Sequence, residues 1–404
     1  MHRIVLNLAA VLAVALPREL ISAPALSIAP GSPHVVTVSG EEGENVVLEG
    51  SDDLSDGSWT ALSTITLGDQ PSIFTDDSGY LGDKRFYRAY TFTDESSQKA
   101  TDIMDAVEAF LNLLSSSEQS TLLFDWDDDT QKTRWSNFPI GIVPRDGLRT
   151  GDMSDAQLQA MWNLLSVVLS EEGYEKTLNI VNGDNELSSG SNSQYGDHQY
   201  YIAFLGTPSA EDIWMLQFGG HHLAINVFIK GADGSLTPSL TATQPSSYTL
   251  DGETIRPMGD EVDKGLALMQ SLSASQQSAA TIGSSFIDLV LGPGEDGQMI
   301  AYEGVQVSTF SDEQKEALVD LAGEWIRILH SEAAENRLAE VRENLDSTYF
   351  AWSGPVSASS AAYFRIHGPT VFIEMSPQTM GGGGGLGHYH SIYRDPTNEY
   401  GEGL

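Results

Sequence analysis

The chain has 404 residues, 20 Lys and Arg against 57 Asp and Glu, and a formal charge of −37, so its surface argues against nucleic acid or an anionic bilayer as partner. It contains no cysteine, which excludes disulfides, thiolate nucleophiles, iron–sulfur clusters and cysteine-type zinc sites. At 40% apolar content it can bury sizeable cores, and its length suggests two folded units.

The N-terminus reads as a signal peptide over residues 1–25. Met1-His2-Arg3 is basic, Ile4 to Leu16 is an apolar run shorter than a membrane span, and Ala23-Pro24-Ala25 is a small-residue cleavage pattern. Secretion, or export to a bacterial periplasm, is the expectation. Pro17, Arg18 and Glu19 interrupt the pattern, and a retained membrane anchor is the alternative. No later stretch is long and apolar enough to span a bilayer, so no transmembrane helix is expected in the mature chain.

Residues 30–97 predict a small all-β sandwich. Short runs of alternating residues, Val35 to Val38, Asn45 to Glu49, Trp59 to Leu62, Ser72 to Phe74 and Arg85 to Tyr90, are separated by Gly, Asp and Ser. The segments Ser51-Asp52-Asp53-Leu54, Trp59, Phe74-Thr75-Asp76 and Arg85 to Ala89 resemble a β-sandwich module of exported Verrucomicrobia and Planctomycetes proteins. That resemblance implies a spacer or a surface-attachment role.

A polar run from Thr93 to Ala100 marks a boundary, and residues 101–404 predict a large α+β domain with mostly antiparallel strands. Ile103, Met104, Val107, Phe110, Leu111 and Leu114 recur at helical spacing over 101–117. Ser154 with Gln157 forms a capping box opening a second helix, which Gly173 is expected to end. Strands are expected at Tyr200 to Leu205 and Trp214 to Ile229. Helix is expected at Asp260 to Ala280 and, from the Ser311–Gln314 capping box, on to Leu345. Strands return at Tyr349 to Trp352, Tyr363 to Ile366 and Thr370 to Glu374, and five glycines, Gly381 to Gly385, lead into the last segment.

That segment, Gly387 to Pro396, carries an H-x-H pair, His388 and His390, whose period places both imidazoles on one face of a strand. Far upstream lies the adjacent pair His221-His222. Without cysteine, a metal site must be built from His and Asp or Glu, and imidazole suits Zn or Cu. His221, His222, His388 and His390 are therefore the candidate metal ligands. On a strand the adjacent pair would point opposite ways, leaving one as ligand and the other behind it. Asp395 and Arg394 are the candidate catalytic residues, a carboxylate to bind metal or orient a ring and a guanidinium to hold an anionic group. His367 is a further candidate ligand. Against the site stands the reading of these histidines as hydrogen-bonded packing residues. Asp125-Trp126-Asp127-Asp128-Asp129 lacks the glycine and glutamate of a Ca²⁺ loop, Gly292 to Gly297 lacks a phosphate-cradling Gly-Lys-Ser, and Ser353 lacks a nucleophile elbow.

Trp135, Arg145-Asp146-Gly147-Leu148, Phe218 to Leu223, Phe350 to Gly354, Tyr363 to Pro369 and His388 to Asp395 together resemble the bacterial domain of unknown function 3500 family, from residue 101 to the C-terminus. The resemblance implies that His221, His222, His388, His390, Arg394 and Asp395 belong to a shared motif set, and it brings no reaction. This chain departs from the pattern in having Gly387 before the H-x-H pair where the family has Asn, and His367 where it has Gln. The expected function is an exported metal-dependent enzyme, hydrolytic in class, acting on a small-molecule or polymer substrate. The alternatives are a non-catalytic secreted metal- or ligand-binding protein and a copper-dependent oxidoreductase.

Overall fold

A computed structural model describes residues 25–29, 34–40, 43–51, 60–68, 70–76, 85–92, 95–188, 194–379 and 385–404. Residues 1–24 of the expected leader, the acidic turn at 52–54, Trp59 and Gly381 to Gly384 lie outside the described residues, while Ala25, expected as the leader's last residue, opens the first strand. The chain divides into two units, Met1–Gln98 and Lys99–Leu404.

In the first unit, strands β1 (Ala25–Ala29), β2 (His34–Ser39), β3 (Asn45–Ser51), β4 (Thr60–Thr66), β5 (Ser72–Asp76) and β6 (Phe86–Phe92) form two antiparallel three-stranded sheets, ordered β1-β2-β5 and β4-β3-β6. Val36 and Val38 on β2, and Val46 and Leu48 on β3, are fully buried at alternate positions and share one core with Leu67 and Tyr87.

The second unit is α+β. Helix α1 (Glu95–Leu111) buries Ile103, Val107 and Phe110, then ends earlier than the spacing predicts. Leu113 and Leu114 donate to carbonyls three residues back, and Ser115 opens α2 (Ser116–Leu122) with a capping box to Glu118. Ser154 opens α4 (Asp155–Val168) as expected, after the one-turn α3 (Asp129–Lys132). Gly173 does not end that helix. Ser170 caps a new one, α5 (Glu171–Leu187), and Gly173 lies in its first turn because a Cβ there would stand 2.3 Å from the Ile328 carbonyl oxygen. The predicted helix over 260–280 is likewise two, α6 (Gly259–Ser271) and α7 (Ala274–Ala280), restarted at Ser273. The last helical region divides into α8 (Asp312–Ile326) and α9 (Ser331–Glu343). No described helix is long and apolar enough to cross a membrane.

The central sheet runs through the unit. Its strands are β7 (Leu123–Phe124), β8 (Leu148–Arg149), β9 (Tyr201–Leu205), β10 (Trp214–Gly220), β11 (Leu223–Lys230), β12 (Asp233–Ser235), β13 (Ser239–Thr243), β16 (Thr281–Gly283), β17 (Val305–Gln306), β18 (Tyr349–Ser353), β19 (Tyr363–His367), β20 (Phe372–Pro377) and β21 (Tyr389–Arg394). A separate hairpin joins β14 (Tyr248–Leu250) to β15 (Glu253–Ile255). The main path is β16-β18-β19-β20-β21-β13-β11-β10-β9-β7, antiparallel except where β16 meets β18 and β7 meets β9. One face packs on the helices through Phe218, Ile225, Phe364 and Tyr393 with Leu165, Leu318 and Trp325. The other is covered by loops, and Trp135, Leu240, Ala242, Leu291, Phe372 and Ile392 form its core. Glu374 holds one of these loops by accepting from the Val290 and Leu291 amides at 3.0 and 2.8 Å and from the Tyr363 hydroxyl at 2.5 Å.

His330, at the N-cap of α9, is buried with Nδ1 unpartnered. Burial, helped by the charge of Lys99 and opposed by Asp233, brings its pKa down to about 4. The folded state therefore holds it neutral, while the unfolded chain protonates it near 6.5. Its contribution is fully present above that value and is lost as pH falls from 6.5 toward 4. Urea titrations at pH 7 and pH 4.5 should show a smaller stability loss for His330→Asn than for the wild type, the difference being on the order of 2–3 kcal/mol. Equal losses would contradict this account.

Candidate metal centre

Strand β13 brings the two histidine pairs together. It pairs with β11 on one side and β21 on the other, and Ala242 on it faces His390 across the ladder while its amide donates to the His222 carbonyl at 2.9 Å. Neighbouring strands stand about 4.8 Å apart, so His222 and His390 flank Ala242 one strand away on each side. The methyl side chain between them leaves room for both rings to lean over it.

Gly220 and Leu223 pair as the last rungs of the β10–β11 hairpin, which makes His221 and His222 its two-residue turn. Gly219 and Gly220 are required there, since a Cβ on Gly220 would meet the Gln199 carbonyl oxygen at 2.9 Å and one on Gly219 the Leu223 oxygen at 2.6 Å. His222 takes φ +65°, a left-handed conformation that costs an L residue about 1–2 kcal/mol. Strain of this kind held by the surrounding structure is common at functional sites. The strand argument for opposite-facing rings therefore does not apply. In the turn the two rings stack, centroids 3.6 Å apart and planes 28° apart.

His388 stands just before β21 and His390 on it, separated by Tyr389, which points to the helix-side core. His388 Nε2 lies 3.0 Å from His222 Nε2 and 2.9 Å from His390 Nε2. Tetrahedral zinc bound to imidazoles at about 2.0–2.1 Å would separate its nitrogens by about 3.3 Å, so a small outward movement admits an ion. A neutral imidazole has one ring proton, and one shared proton cannot satisfy all these contacts at His388 Nε2. A cation can. Burial lowers the pKa of His222 and of His390 well below the ordinary histidine value, and neighbouring imidazoles add to the effect. Both are thus held in the neutral form that binds metal.

His221 Nδ1 lies 2.6 Å from Asp184 Oδ1, and Asp184 Oδ2 accepts from the Gly196 amide at 2.7 Å. Asp184 comes from α5. The Tyr200 hydroxyl donates to the His221 carbonyl at 2.9 Å, and the Tyr195 ring lies 4.8 Å from that of His221. Two groups can hold a metal ion among the described residues: His222, His388 and His390, and Asp184, His221 and His222. All five residues are buried.

The loop after α3 closes over the cluster. The Asn137 amide nitrogen stands 3.2 Å from His390 Nδ1, and the Asn137 carbonyl accepts from the His222 amide at 3.3 Å. Arg145 fastens this loop. Its guanidinium donates to the carbonyls of Ser136 at 2.6 Å, Phe138 at 3.0 Å and Gly220 at 3.0 Å, and also to that of Val143. Burial brings its pKa down to about 10.

The structure does not bring Arg394 or Asp395 to this cluster. Arg394 lies four residues beyond His390, about 13 Å along the strand, and donates to Leu291 and Gly292 carbonyls, Asp296 and Glu399. Asp395 Oδ1 accepts from the Thr397 amide and hydroxyl. His367 packs on Tyr302 and Phe372. Asp128 caps α3 by accepting from the Gln131 amide at 2.9 Å. Asp184 and Asn137 carry no local sequence signal, and Arg145 shows its role only in the fold.

Fold and site together define an α+β protein whose large antiparallel sheet carries a buried histidine cluster able to hold a metal ion. Residues 96–402 match the family described as "Protein of unknown function (DUF3500)", and the chain belongs to it. No curated protein and no solved structure matches the chain.

Proposed function

We propose that the protein is an exported metal-dependent enzyme, hydrolytic in class, with zinc or copper(II) held by His222, His388 and His390. The observation that carries this reading is that His388 Nε2 lies 3.0 Å from His222 Nε2 and 2.9 Å from His390 Nε2, in a site whose burial lowers the pKa of His222 and of His390. An ion with three imidazole ligands and a remaining position acidifies bound water toward neutral pH. Asp184 accepts the Nδ1 proton of His221 and so orients that ring, and Asp184, His221 and His222 form a second group able to hold a metal ion, sharing His222 with the first. Export rests on the N-terminal pattern, and the small β-rich unit supplies the surface attachment.

A non-catalytic metal-holding protein is the second reading. It is favoured by the enclosure of the three rings, which are only 2, 5 and 8% exposed. Chromogenic ester and phosphoester panels run on metal-loaded and chelator-treated protein separate the two. Turnover that disappears with the metal supports the enzyme, whereas tight metal without turnover on any panel member supports the second reading.

A further inference from the structure

Each ring that offers Nε2 to the centre must carry its single proton on Nδ1, and a buried N–H needs an acceptor. For His390 the group facing Nδ1 is the Asn137 side-chain amide. With its nitrogen toward the ring, the amide donates to Nδ1 and forces the ring proton onto Nε2, against the other imidazoles. A half-turn of the amide, whose two ends have nearly the same shape, places Oδ1 there instead and releases Nε2. The half-turn costs little, since Oδ1 otherwise has only the Ser136 hydroxyl at 3.5 Å.

We propose that Asn137 is the positioning residue of the centre, its Oδ1 accepting from His390 Nδ1–H and so fixing the tautomer that aims Nε2 at the ion. The inference rests on the metal reading and adds who sets the ligand's tautomer. Asn137 is well placed for it. Its backbone carbonyl holds the His222 amide, so one residue orders two of the three rings, and Arg145 grips the carbonyls of Ser136 and Phe138 on either side.

The test uses the full chain with histidine labelled by ¹⁵N, and Zn²⁺ competed against a chelator. The metal-free wild type should show His390 protonated at Nδ1. Asn137→Asp, an acceptor at both ends, should bind Zn²⁺ at least as tightly as the wild type, and Asn137→Leu about 10–100-fold more weakly. A leucine variant that binds like the wild type, or a wild-type His390 protonated at Nε2, would overturn the inference while leaving the metal reading standing. A wild type that takes up no Zn²⁺ overturns the metal reading, and the tautomer in the same metal-free sample still decides the role of Asn137.

Discussion

Replacing His388 with alanine is expected to abolish stoichiometric uptake of the metal ion proposed for the histidine cluster. Its Nε2 is the one that touches both others, at 3.0 Å to His222 and 2.9 Å to His390, so its loss removes the middle ligand and leaves two. Structural zinc sites are worth about 10–16 kcal/mol over their ligands, roughly 3–4 kcal/mol for each. The expected weakening is therefore about 10²–10³-fold or more. Elemental analysis of wild type and His388→Ala purified side by side reads the effect directly. His367→Ala should keep full occupancy, because His367 packs against Tyr302 and Phe372 instead. Equal metal in the His388 variant and the wild type would sink the assignment.

Arg145→Ala should destabilise the fold and loosen the loop over the histidine cluster. The guanidinium serves four backbone carbonyls from the 136–143 loop and the end of β10. Truncation leaves those acceptors buried without a donor, at about 1–3 kcal/mol for each that water does not reach. Removing a desolvated charge gives part of that back. The net expectation is about 3 kcal/mol in urea unfolding, together with weaker metal uptake as Asn137 loosens. Arg145→Lys should not restore either, since an ammonium lacks the planar fork that reaches carbonyls on several sides. A loss below about 0.5 kcal/mol with unchanged metal uptake would show that the loop holds itself.

The α+β class and the strands flanking both histidine pairs could be read from residue patterns, because period two and capping boxes are local signals. The helices were legible as regions and misread as lengths. Ser115, Ser170 and Ser273 restart helices where apolar spacing alone runs on, and Gly173 looks like a stop while serving a close approach to Ile328. The convergence of His222 with His388 and His390 depends on β13, which lies between their strands and has no strong local signature. The stacking of His221 on His222 depends on a left-handed turn residue, and the places of Asp184 and Asn137 depend on tertiary packing of segments 37 residues upstream of His221 and 253 upstream of His390. No spacing rule reaches that far. Arg394 and Asp395 invited a catalytic reading by standing next to the histidine segment, but strand geometry carries them away from it and loop carbonyls engage Arg394.

The most direct measurement of the central claim is X-ray absorption spectroscopy on the metal-loaded protein. Three imidazole nitrogens at about 2.0–2.1 Å around one ion per chain are predicted if zinc is bound. A shell of oxygens alone, or a protein that retains no ion in stoichiometric amount, would contradict it.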